Sequence, residues 1–314
     1  MASFMPEGRM SGSIRNRRML STPAAVAEAA AKQEILEAKA VLCDFDHNLV
    51  VDLGCMKGII PREEGAIGIA EGRVRDIALI SRVGKAVSFV VTAVKTGKDG
   101  KLYALLSRRR AQEICTSEFI ARLAPGDVID ARITHLESFG AFCDIGCGVV
   151  ALLPIDAISV SRISHPADRF SAGSDIRVVV RGHDELGRIS LSHKELLGTW
   201  AENAARFSLG ETVSGIVRSV ESYGVFVELA PNLAGLAEPF AGVKVGQVAS
   251  AYIKNMLPDK MKVKLIIIDA FDADTTDRTM TYFYDGDHID SWRYSPQSCE
   301  RCVESVFASE LVGV

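Results

Sequence analysis

From Asp127 onward, apolar residues alternate with polar ones in short runs broken by Gly, Ser and Asp, the period of strands with one buried face. Asp127–Leu136, Ala141–Ile145 and Val149–Leu153 are three such runs; a polar excursion over Ser159–Gly173 precedes Ile176–Arg181 and Arg188–Ser192. Five short strands in about 70 residues, with an excursion before the fourth, predict a small closed Greek-key barrel. The plan returns from Leu209 to Asp269, with the excursion shortened between Pro239 and Val245. Upstream, Leu49–Leu53, Lys57–Pro61, Ala86–Val91 and Lys101–Leu106 read as strands of a degenerate third copy, with a hairpin turn over Lys98–Lys101. Stretches free of Pro and Gly, or rich in helix formers, predict helices over Ala24–Ala40, Arg108–Leu123 and His193–Arg206.

The fold class is therefore all-β with linking helices, a tandem array of five-stranded OB-fold Greek-key barrels. The expected boundaries are a disordered basic arm over 1–23, a helix and degenerate barrel over 24–107, and a linker helix over 108–124. A barrel over 125–192, a linker helix over 193–208, a barrel over 209–269 and an acidic hairpin and tail over 270–314 complete the chain. In the tail, Thr279–Tyr284 and His288–Tyr294 flank Asp-Gly-Asp as a hairpin, and Gln297–Phe307 reads as a short helix.

An internal repeat supports two of these barrels. Gly126, Glu137, Ser138, Gly140, Phe142 and Leu152 recur 84 residues later as Gly210, Glu221, Ser222, Gly224, Phe226 and Leu236, while Phe139 returns as Tyr223. A long fixed period of this kind marks two copies of one small domain.

Composition narrows the function. The chain has 314 residues, 48% of them hydrophobic, and a net charge of −4. No apolar run reaches the roughly 18 residues of a membrane span, and no secretory signal is visible, so a cytoplasmic protein is expected. The Arg-rich start is compatible with an organellar transit peptide, although a disordered arm explains the same composition. Seven scattered cysteines fit a reducing compartment better than a disulfide framework. Cys299 and Cys302 have zinc or redox spacing but no second pair, and Asp285, Asp287, His288 and Asp290 read as a solvated turn; neither metal nor cofactor is expected. Nine acidic residues against three arginines beyond Asp269 leave the rest of the chain slightly positive. Affinity for nucleic acid would then come from a local groove rather than a global field.

Strand alternation singles out the chemistry. Ala141, Cys143 and Ile145 point inward, so Phe142 falls on the outer face with Asp144; likewise Phe226 falls outside with Glu228. Phe139 and Tyr223 stand beside them at the strand entrance. Two adjacent rings on a small barrel, present twice, suit the stacking of unpaired bases, although each could instead pack on a linker helix or neighbouring barrel. Arg188 and Lys262 lie on the last strands, where they could meet phosphates, and His165 sits in the excursion within a turn-forming His-Pro. The first barrel has Val50 and His47 at the ring positions. No phosphate-binding Gly-rich loop, HExxH or nucleophile elbow is present, which points to a binding protein rather than an enzyme and to no small-molecule substrate.

Pro125-Gly-Asp-Val, Glu137-Ser-Phe-Gly-Ala-Phe-Cys-Asp-Ile-Gly, Leu152-Leu-Pro-Ile and Gly187-Arg-Ile-Ser-Leu-Ser together resemble the S-one RNA-binding domain family. So do Leu209-Gly-Glu-Thr-Val, Tyr223-Gly-Val-Phe-Val-Glu-Leu and Ala234-Gly-Leu-Ala-Glu. The whole chain looks like a compact three-repeat member of the bacterial small-subunit ribosomal proteins after which the domain is named. The resemblance implies binding of single-stranded RNA, above all messenger RNA, with the small ribosomal subunit as a partner. It implies RNA contacts at Phe139, Phe142, Asp184 and Arg188, and at Tyr223, Phe226 and Lys262. The family's His after the third strand is replaced by Pro154 and Glu238, and the first barrel keeps none of the aromatic contacts. A protein-interaction module built of barrels within a larger complex is the alternative.

Overall fold

The computed structural model describes residues 4–183, 187–273 and 280–307. It contains three closed five-stranded barrels. The first comprises β1 (Ile35–Cys43), β2 (Leu49–Asp52), β3 (Lys57–Ile60), β4 (Ala86–Thr96) and β5 (Leu102–Ser107). The middle one comprises β6 (Val128–Glu137), β7 (Gly140–Gly146), β8 (Val149–Pro154), β9 (Asp175–His183) and β10 (Ile189–Ser192). The third comprises β11 (Thr212–Glu221), β12 (Gly224–Ala230), β13 (Leu233–Ala237), β14 (Val248–Leu257) and β15 (Lys262–Phe271). Every ring closes in the same order, first strand, second, third, fifth, fourth, so the expected tandem OB-fold arrangement is present. Two compact units result. One is the chain up to Leu123 with Asp130–Arg132 and Asp144–Val150; the other is Ala124–Ile129, Ile133–Cys143 and the chain from Ala151 onward.

In the first unit the core is the inward set of the first barrel, including Leu36, Leu49, Val51, Ile60, Phe89 and Leu106. Its first strand was hidden from propensity. Ile35-Leu-Glu-Ala-Lys-Ala favours helix, yet α2 (Pro23–Ala31), capped by Thr22, stops at Lys32, and Gln33 turns to φ 52°. β1 then pairs with β4 from Ile35↔Val90 to Lys39↔Ala86. Burial of Leu36, Ala38 and Ala40 outweighs the few tenths of a kcal/mol per residue that helix propensity supplies.

The expectation of a disordered arm over 1–23 is also corrected for its described residues, 4–23. α1 (Ile14–Met19) forms behind a Ser13 cap. Asn16 exchanges two 2.8 Å hydrogen bonds with the backbone of Glu37, while the Glu37 carboxylate accepts from Ser11 N and Oγ. Buried Glu7 accepts from Arg108 Nε at 2.7 Å and from Ser88 N at 3.0 Å. A basic composition does not prevent order when each polar group finds such a partner. α4 (Arg108–Glu118) follows β5 directly, capped by Ser107.

In the second unit the expected helix over 193–206 is split. A 3-10 turn at Lys194–Leu197 ends at Gly198, φ +82°, and α5 (Trp200–Ala204) restarts with a Thr199–Glu202 capping box. The tail departs further. β16 (Ser291–Arg293) pairs with β17 (Glu304–Val306), so neither the hairpin centred on Asp285–Asp287 nor the helix over 297–307 forms. Part of the first predicted arm, Thr279, lies outside the described residues. Ile289, Trp292, Tyr294 and Phe307 join the core of the third barrel. Burying such side chains contributes roughly 1.5–3 kcal/mol each, and this apolar set, not the acidic composition, decides the path. Arg177 Nη atoms donate to the carbonyls of Tyr284, Asp285 and Gly286 at 2.6–3.2 Å, fixing the segment over β9. His288 pairs with Asp127 at 2.7 Å, and among the described residues no metal-binding group of three His, Cys, Asp or Glu assembles.

Candidate nucleic-acid interface

Two hairpins carry the rings. β6 and β7 are joined through Ser138 and Phe139, β11 and β12 through Ser222 and Tyr223. The turns leave Phe139 54% and Tyr223 65% exposed, although burying a large apolar side chain is worth about 1.5–3 kcal/mol. The Gly that follows is required by close approach. A Cβ at Gly140 or Gly224 would overlap the carbonyl oxygen of Leu153 or Ala237, respectively. Phe142 and Phe226 follow two residues later on the outer face, each partly buried.

The geometry is the same in both barrels. Phe139 and Phe142 have centroids 6.0 Å apart and planes at 88°; Tyr223 and Phe226 have 6.2 Å and 88°. Edge-to-face pairing of this kind stabilises the two rings against each other. On the middle barrel a further ring joins: His135 lies 6.4 Å from Phe142 at 22°. The sequence reading missed His135, since only the fold brings β6 beside Phe142.

Register decides which cations accompany the rings. In the third barrel Ser219, Phe226, Leu236 and Lys264 are successive cross-strand neighbours. Lys264, not Lys262, therefore lies in the row of Phe226; Lys262 is exposed two residues away along β15, paired with Leu257. In the middle barrel Ser190 takes the equivalent place opposite Leu152, and Arg188 stands exposed just before β10. Asp184 lies outside the described residues. His165 caps the 3-10 turn Pro166–Asp168, its Nδ1 accepting from Ala167 N at 3.1 Å. That nitrogen holds a local turn, and the half-buried ring sits in the loop between β8 and β9. Glu238 is exposed and receives Lys254 Nζ at 3.4 Å.

The outer carboxylates are not presented to ligand. Glu228 is fully buried, with Arg169 at 2.6 Å and Arg218 at 2.8 Å; Arg218 also reaches Asp168 at 3.2 Å. Burial depresses the basicity of Arg169, while Glu228 works against that. Asp144 accepts from the backbone N–H groups of Glu7, Gly146 and Gly148 at 2.7–3.0 Å. Its pKa is nevertheless pushed up to about 7 by burial and by the neighbouring Glu7 charge. The negative charge that would repel a phosphate beside Phe226 is thus neutralised inside the fold.

The first barrel offers a different row. Leu42, Val50, Ile59 and Leu105 are its cross-strand neighbours, with no cation at the end. Phe45 is 98% exposed in the β1–β2 turn, a ring the sequence reading did not single out, since the local Asp-Phe-Asp lacks the Phe-Gly spacing of the other two hairpins.

The S1 RNA binding domain family model matches residues 122–194, which enclose β6–β10. Small ribosomal subunit protein bS1 of Leuconostoc lactis is 32% identical over 231 residues, 70% of this chain and 50% of that protein. The protein of the same name from Staphylococcus aureus strain COL is 30% identical over 259 residues, 80% of this chain and 62% of the relative. The chain thus spans half to three-fifths of the length of these relatives. Among solved structures, a multidomain protein with nucleic acid binding domains from Streptococcus pneumoniae aligns over 76% of this chain and 74% of that one. Its identity is 15% and its TM-score 0.24, too low to carry an argument. Residues 122–194 of this chain match the S1 RNA binding domain, and the chain is similar over most of its length to bacterial small ribosomal subunit protein bS1.

Proposed function

We propose that the chain binds single-stranded RNA, messenger RNA above all, on the ring pairs of its middle and third barrels. The reading extends to a role in translation in the cytoplasm, with the small ribosomal subunit as partner, and to a binding protein rather than an enzyme. The observation that carries it is the recurrence of one edge-to-face ring pair, at the same turn and the same angle, in two barrels. Phe139, Phe142, Tyr223 and Phe226 stack bases, which any nucleobase permits, so sequence preference is weak. Lys264, with Lys262 and Arg188, meets phosphates. The S1 domain match and the names of the relatives support the same assignment.

Fluorescence anisotropy with an unstructured RNA of about 20 nucleotides across a salt series tests it, since each stacked base is worth about 1–3 kcal/mol. The expected result is salt-sensitive binding that a folded Phe142→Ala/Phe226→Ala variant loses. Binding indifferent to both rings, or none by the parent, refutes it. The first barrel, with its aliphatic row Leu42–Val50–Ile59–Leu105, fits protein contact better than RNA, and the interaction-module reading is kept for that barrel alone.

A further inference from the structure

We propose that His135 is a third base-stacking residue of the middle barrel, receiving an unpaired RNA base on top of Phe142; the proposal rests on the RNA reading above. His135 lies on β6, 84 residues before Ser219, which sits opposite Phe226 in the third barrel. The middle barrel therefore has an imidazole where the third has only a hydroxyl. The ring is not a core residue: its side chain is 64% exposed. Nor is it loosely placed. Nε2 lies 2.7 Å from Glu137 Oε1, and the imidazole plane is within 22° of the Phe142 plane.

These features act together. A carboxylate accepts, so the Glu137 contact puts a proton on Nε2 and fixes the ring's orientation. The near-parallel ring extends the stack begun by Phe142, and a base laid on His135 continues the pile instead of meeting the edge of a ring. Preorganisation by Glu137 lowers the ordering cost that a free exposed side chain would bring to binding. Phe139 stands at right angles to Phe142 beside this pile. The ligand is an unpaired nucleobase, and the middle platform holds one more ring than the third.

The test isolates the middle platform in a Tyr223→Ala/Phe226→Ala background and measures anisotropy with a uridine-rich RNA of about 10 nucleotides, within the site size of one such barrel. His135→Ala and His135→Ser should each weaken binding about fivefold or more, and His135→Phe should stay within about twofold. Circular dichroism and thermal midpoints should match the background in all three. Unchanged or tighter binding by His135→Ala overturns the proposal, the tighter case making His135 a lid over Phe142. A His135→Phe variant as weak as His135→Ala also overturns it, because stacking then is not the contribution. If the background binds no RNA, or binds it indifferently to Phe142→Ala, the middle barrel is no RNA platform and this proposal is overturned; the RNA reading as a whole fails with it only if the parent chain also binds none.

Discussion

The first and third barrels close their strands in the same order, yet they present opposite surfaces along the same cross-strand row. Ser219–Phe226–Leu236–Lys264 ends in a cation and is flanked by Tyr223. Leu42–Val50–Ile59–Leu105 is aliphatic throughout, and its turn ring, Phe45, sits between two aspartates. The inward positions are apolar in both. A barrel of this kind is specified by its inner face, which leaves the outer face free to carry or lose a binding site without cost to the fold. The carboxylate at the end of the second strand differs in the same way. Glu228 is buried under Arg169 and Arg218, whereas Asp52 is exposed and accepts a local bond from Gly54 N at 2.8 Å.

The largest expected effect sharpens that last contrast. Glu228→Gln leaves Arg169 buried without its anion and should cost about 3–5 kcal/mol in urea unfolding. Asp52→Asn should stay within about 0.5 kcal/mol, as exposed substitutions do. Equal effects would erase the distinction.

A second contrast follows the last strand of each barrel. Leu106-Ser-Arg108 and Leu191-Ser-His193 place a buried basic residue at the same step. Arg108 stays charged against Glu7. His193 lies between Ile158 O at 3.1 Å and Tyr282 Oη at 3.2 Å, and burial pushes its pKa down to about 4. The unfolded chain binds this proton first, so stability is fully present above about pH 6.5 and is lost as pH falls towards 4. The loss is about 3 kcal/mol by pH 4. His193→Gln should flatten the pH dependence of the second unit, read from tryptophan fluorescence of Trp200 and Trp292, both of which lie in that unit.

Smaller effects concern RNA. Tyr223→Ala should weaken binding by about 1–3 kcal/mol, while Phe45→Ala should leave it unchanged; loss of binding in Phe45→Ala would give the first barrel a platform as well. The smallest is a charge effect. Lys264→Ala should lower the salt slope of binding by roughly one and exceed Lys262→Ala, because only Lys264 shares the row of Phe226.

The barrels and their ring pairs were legible because period-2 alternation, a Gly after each turn ring and the 84-residue offset are all local signals. What escaped was set by distant partners. Ile35–Ala40 has helical propensity and became β1 through pairing with β4. The tail's hairpin and helix gave way to burial of Trp292, Tyr294 and Phe307. Phe142 was visible as an outward ring, but His135 and Lys264 join it only across strands, and strand register is not written in either segment alone. The carboxylates were placed on the outer face correctly by alternation, yet their burial depends on Arg169 and Glu7, 59 and 137 residues away.

Photo-crosslinking of a 4-thiouridine RNA to the intact chain, with the modified peptides located by mass spectrometry, tests the central claim most directly. Crosslinks confined to the β6–β7 and β11–β12 hairpins, at Phe139, Phe142, Tyr223 or Phe226, are the result expected. Crosslinks concentrated on the first barrel around Phe45, with both ring pairs unmarked, would contradict the account.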